Sequence, residues 1–188
     1  MKPVPLALVA GYLLLAMLVI ALVPFGNSGA DASVGNEPAT VPLATVERYG
    51  EDFVAYAIVR RTDGSFRRML IAPEVLAAVQ ADAPLPEGTR ILMETYHRPD
   101  RVGTVFHKLK AGGRWQYGSL SGTGRIDLAT GPKASCLSCH ARAAETDLTF
   151  TLPAIRAAAA GHGLSDFECG RGGRSPCALD VYRDGAAW

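Results

Sequence analysis

The sequence predicts an α+β fold dominated by strands: an antiparallel sheet with a few short helices, preceded by a hydrophobic N-terminal helix. Three observations carry this prediction. Between residues 53 and 120, β-tending runs alternate with turn residues. Segments with helix start signals are few and short. An apolar run from Val4 to Val23 stands ahead of everything else.

That run follows Met1-Lys2 and is interrupted by Pro5, Gly11 and Tyr12 alone. About 20 helical residues span about 30 Å, enough to cross a bilayer. A cleaved signal usually has a shorter apolar core of about 7–15 residues. Yet Ser28-Gly29-Ala30 and Ala30-Asp31-Ala32 both offer small residues to a signal peptidase. Residues 1–30 thus read as a membrane anchor or as a signal peptide. In both cases Lys2 stays inside and the rest is exported, to the periplasm. Residues 31–46 read as a linker rich in Ala, Pro, Gly and Asn.

Phe53 to Arg60 is apolar and β-tending, the first strand. Asp63-Gly64 is a hairpin turn pair, and Phe66 to Ile71 returns from it. Pro73-Glu74-Val75 opens a helix to about Ala81: proline suits the first helical position and glutamate the positive end of the dipole. Pro84, Pro86 and Gly88 stop it. Thr89 to His97 is a strand with two distinct faces, Ile91, Met93, Thr95 and His97 against Leu92, Glu94 and Tyr96. Val102 to Lys110 and Arg114 to Leu120 flank a Gly112-Gly113 turn. A helical turn is expected at Cys136 to His140, continuing through Glu145. Another helix is expected from Pro153 to Ala160, capped by Gly161. The last 25 residues are Gly-rich and read as irregular.

The chain has 188 residues, a net charge of +1 and 20% charged residues, so no basic excess argues for nucleic acid. Its most specific signal is Cys136-Leu137-Ser138-Cys139-His140. A CxxC pair alone can be a redox dithiol or half a zinc site. No second CxxC or HxxxH supplies further zinc ligands, and no βαβ pattern surrounds it. CxxC followed at once by histidine is the attachment pattern of covalent c-type haem. Each thiol takes one vinyl group, and the imidazole becomes the proximal iron ligand. Export fits, because haem c is attached outside the cytoplasm. Two more cysteines, Cys169 and Cys177, remain in an oxidising compartment. They can close a small disulfide loop across Gly170, Gly172, Gly173 and Pro176. Free thiols or an intermolecular bridge are the alternatives.

Small electron-carrier cytochromes are typically helical with CxxCH early; here it follows several strands. The stretch from Cys136 to Thr151 resembles the haem segment of the cytochrome P-460 and cytochrome c′-beta family. In that family CxxCH is followed by Thr-Asp-x-x-Phe-Thr, matched by Thr146, Asp147, Phe150 and Thr151. Tyr49, Arg67, Pro73, Pro86-Glu87-Gly88-Thr89, Trp115 and Tyr117 fall in similar order upstream. The resemblance covers roughly residues 47–155. It implies a mostly antiparallel sheet packed around one five-coordinate haem in a domain spanning 47–160, commonly dimeric. A Gly-rich tail, 161–188, lies beyond it. Members oxidise hydroxylamine or bind small gases such as nitric oxide. The oxidising members cross-link a lysine to the haem, and that position falls on Met93 here; a one-residue slip gives Leu92 or Glu94. Their distal carboxylate position falls on Gly103 or Thr104.

The expected cofactor is thus one covalent haem c held by Cys136, Cys139 and His140, with His140 on the metal. Arg67 is the expected distal donor, or else a surface residue beside Arg68. Met93 is a pocket wall, core filler or sixth ligand, with Met69 a weaker ligand. His97 and His107 are weaker candidates for a bis-histidine site, and His162 reads as a turn residue. Phe66, Phe106 and Trp115 are haem-packing or plain core aromatics, and Asp147 is expected to fix the haem loop. The function expected is binding of a small diatomic ligand at an open sixth position. Electron transfer through a methionine ligand, with a redox partner protein, is the first rival. A haem oxidoreductase, such as a hydroxylamine oxidase, is the second, and it lacks a distal base.

Overall fold

The computed structural model describes residues 45–49, 51–119 and 134–184. The apolar N-terminal run and most of the linker lie outside them. Among the described residues no helix is long and apolar enough to cross a membrane.

The strands are β1 (Thr45–Arg48), β2 (Glu51–Arg61), β3 (Phe66–Ile71), β4 (Arg90–Arg98), β5 (Arg101–Ala111), β6 (Arg114–Ser119) and β7 (Ser165–Cys169). The helices are α1 (Pro73–Ala77), α2 (Ala134–His140), α3 (Leu152–Ala159) and α4 (Leu179–Asp184), with a 3-10 segment at Ala141–Thr146 after α2. Strands β1 to β6 pair in sequence order, each antiparallel to the next. Short turns make that meander, apart from the β3–β4 connection, which carries α1. Gly112 and Gly113 both adopt positive φ, 59° and 71°, in the two-residue turn between β5 and β6. That is the geometry of a turn whose twist matches the flanking strands.

The expectation of an antiparallel sheet needs one correction. β7 runs parallel to β2, with Ala57 opposite Ser165 and Arg61 opposite Cys169. It fills the edge of β2 beyond β1, which covers only Glu51 to Val54. The tail is therefore less irregular than its glycines suggest. The period-two burial of β7, with Ser165, Phe167 and Cys169 buried, is a strand signature. Helix α1 is also shorter than expected, ending at Ala77.

Alternation splits the sheet into two faces. One carries Val54, Val59, Met69, Ile71, Ile91, Trp115, Tyr117 and Phe167, against which α3, α4 and the Cys136–His140 segment pack. Cys136, Cys139 and Met93 border the same cluster. The other carries Phe53, Leu70, Leu92 and Val105. Fully buried Glu94 belongs there, held by Tyr49, Tyr96 and Arg68. Burial pushes its pKa up, but those three donors outweigh burial and hold it below the usual value.

Candidate haem site

Register fixes which strand residues lie on the face that bears the Cys136–His140 segment. Ile71, Ile91, Lys108 and Tyr117 form one cross-strand row. Met69, Met93, Phe106 and Ser119 form the next. Arg67 lies one further step along, paired with Thr95. Rows are two residues apart along a strand, about 7 Å. Met69, Met93 and Phe106 thus make an apolar shelf, and Phe106 is 39% exposed on it.

Helix α2 presents Cys136 and Cys139, both free thiols and both partly exposed. His140 ends the helix, and its ring lies 4.9 Å from Tyr117 and 5.5 Å from Phe150. The chain then turns back sharply. Asp147 and Leu148 adopt left-handed φ of 52° and 54°, a conformation that costs a non-glycine residue about 1–3 kcal/mol. The turn aims the Leu148 carbonyl at His140 Nδ1, 2.7 Å away. A carbonyl only accepts, so Nδ1 carries the proton. Burial and the nearby Lys108 charge push the imidazole down to about 4, against a weaker upward pull from the Leu148 carbonyl. The ring is therefore neutral, and its lone pair sits on Nε2. Such a hydrogen bond is what orients a metal-binding histidine.

Asp147 locks this turn. Its carboxylate accepts from the Leu85 N–H at 3.1 Å, Lys110 Nζ at 2.8 Å and Trp115 Nε1 at 3.3 Å. Lys108 is buried beside it. Its Nζ donates to the Leu148 carbonyl at 3.1 Å and to Thr149 Oγ1, and lies 3.8 Å from the Trp115 ring centre. Burial pushes this ammonium down to about 7; Asp147 opposes that and Lys110 adds to it.

The remaining expected residues divide. Met93 and Met69 lie on the shelf. Arg67 reaches the tail instead of open space, its Nη2 donating to the carbonyls of Gly173 at 3.2 Å and Arg174 at 2.8 Å. Burial and neighbouring Arg61 lower its pKa. His107 pairs with Leu92 in the sheet, so it belongs to the opposite face. His97 and His162 are exposed. Phe66 stacks on Tyr96 at 4.4 Å, away from the shelf. Gly103 and Thr104 are exposed. Leu92 and Glu94, the alternatives to Met93, face the other side. Cys169 and Cys177 form the disulfide, with Cα atoms 5.5 Å apart.

The sequence pattern does not mark Lys108, Thr149 or the Leu148 carbonyl as site groups. One signal was present: on β5, Phe106, Lys108 and Lys110 share a face, which puts two lysines on an inward side. Among the described residues no group of three or more His, Cys, Asp or Glu side chains gathers as a metal site. The donor set does suit a covalent c-type haem: two free thiols on one helical turn, an imidazole with a free Nε2 and an apolar shelf alongside. No protein-family model matches the chain, and no curated protein matches it either.

Proposed function

We propose that this chain is an exported monohaem c-type cytochrome that binds a small diatomic ligand of the nitric oxide kind. The observation that carries the reading is His140, oriented by the Leu148 carbonyl so that Nε2 is a ready lone pair beside two free thiols. Cys136 and Cys139 would tether the group through thioethers, and His140 would ligate its iron. When bound, haem c supplies an iron whose sixth position accepts a diatomic ligand. The protein's own residues do the rest. Tyr117 and Phe150 fix the plane of the imidazole, Asp147 rigidifies the turn that orients it, and Met69, Met93 and Phe106 offer the group an apolar shelf. The likeness to the P-460 and c′-beta segment supports the same reading. Hydroxylamine oxidation is disfavoured: Met93 has no amine to cross-link, and Asp147, a carboxylate on this face, is taken up by three donors.

Met69 and Met93, opposite one another across β3 and β4, favour a second reading, electron transfer with a methionine sixth ligand. One spectrum separates the two. Purified ferrous protein should show a five-coordinate high-spin band that shifts on adding nitric oxide. A sharp six-coordinate low-spin spectrum before any addition, turned high-spin by Met93→Ala, overturns ligand binding in favour of electron transfer.

A further inference from the structure

The Leu148 carbonyl has two donors. His140 Nδ1 reaches it at 2.7 Å and Lys108 Nζ at 3.1 Å. A carbonyl that accepts only from a ligand histidine raises that histidine's basicity. A cation donating to the same oxygen withdraws that electron density. Lys108 is built to stay there. It is 6% exposed, and an ammonium's three N–H donors meet three electron-rich groups: the Leu148 carbonyl, Thr149 Oγ1 and the face of Trp115. Asp147 is the nearby carboxylate, and its hydrogen bonds go to Lys110, Trp115 and the Leu85 N–H, leaving the Lys108 ammonium to act on the carbonyl.

Resting on the haem reading above, we infer that Lys108 is a positioning residue on the proximal side that weakens electron donation from His140 and so sets a higher reduction potential at the bound iron. Two effects have the same sign. The hydrogen bond drains the carbonyl that would otherwise strengthen the imidazole, and a buried positive charge nearby disfavours the ferric state, which carries the greater charge. Arg67 lies two rows away on the same face and is held by the tail, so it does not duplicate this role.

The test is a redox titration of purified holoprotein at pH 6, below the value of about 7 to which burial pushes Lys108, so that the ammonium is the form measured, with resonance Raman of the ferrous iron–histidine stretch. Lys108→Met, of similar length but uncharged, should lower the midpoint by enough to change the oxidised-to-reduced ratio about tenfold at a fixed poise, about 59 mV for one electron. It should also raise the iron–histidine stretch. Lys108→Arg should restore most of both. If Lys108→Met does not fold, Thr149→Val gives the second reading: the Leu148 carbonyl is then the one hydrogen-bond acceptor left to the ammonium beside the Trp115 face, and the midpoint should rise. An unchanged midpoint in Lys108→Met, or in Thr149→Val where that variant stands in, overturns the inference. When the variant carries covalent pigment, that failure leaves the haem reading standing. Parent protein without covalent pigment overturns both.

Discussion

Two loops close over the same face of the sheet, and each is held by cations that the strands supply. The turn that follows α2 and its 3-10 segment receives Lys108 and Lys110. The disulfide-closed loop between Cys169 and Cys177 receives Arg61 and Arg67. The first answers mainly with side chains: its own carboxylate, Asp147, takes Lys110, and Thr149 Oγ1 shares Lys108 with the Leu148 carbonyl. The second answers with backbone carbonyls: Arg61 reaches Ser175 at 2.7 Å and Arg67 reaches Arg174 at 2.8 Å. Its carboxylate comes from outside, as Asp63 accepts from the Gly173 N–H at 2.8 Å and from Ser65. A loop held through side chains depends on particular residues. A loop held through its backbone depends on its shape, which here is kept by a disulfide and glycines.

Breaking the side-chain loop should have the largest effect. Asp147→Ala removes three hydrogen bonds and leaves the Lys110 ammonium, 9% exposed at its side chain, without its carboxylate. Removing one partner of a buried pair costs about 3–5 kcal/mol, so the denaturant midpoint should fall accordingly. A loss under 1 kcal/mol would show that the turn holds without Asp147.

Breaking the backbone loop should cost less. The double variant Cys169→Ser/Cys177→Ser opens a short loop and should cost about 2–3 kcal/mol. Both cysteines are buried, at 3% and 1% exposure, so the parent disulfide should resist mild reductant until the protein unfolds. Rapid reduction of the native protein would contradict that. A smaller change sharpens the contrast. A Cβ on Gly172 would lie 2.9 Å from Asp63 Oδ2, so Gly172→Ala should cost about 1–2 kcal/mol. Its effect should appear as faster amide exchange at Gly173, with no change at Leu148. Equal exchange at both would mean that the two loops are one unit.

The same contrast explains what could be read from the sequence. Strands β2 to β6 were legible because period-two patterning and Gly or Pro turns mark antiparallel neighbours. The two-faced reading of β4 holds for Ile91 and Met93 against Leu92 and Glu94; past Glu94 the pairing with β5 shifts register. Asp147 was legible as a loop-fixing residue because its side chain does the work. β7 was not. Five residues pairing parallel with a strand more than a hundred positions earlier leave no local turn signal. For Arg67 the sequence leaves a distal donor and a surface residue beside Arg68 both open, and its hydrogen bonds to the Gly173 and Arg174 carbonyls could not be foreseen, since carbonyls carry no residue identity. The lysines of β5 were present in the pattern, but their inward face becomes informative only once the Asp147 turn lies over them.

The most direct measurement is the intact mass and colour of the exported protein after acid–acetone extraction. The account predicts a red product that keeps its pigment and is heavier by one haem, and a Cys136→Ser/Cys139→Ser variant that loses both. A colourless product, or pigment that leaves with the solvent, would contradict it.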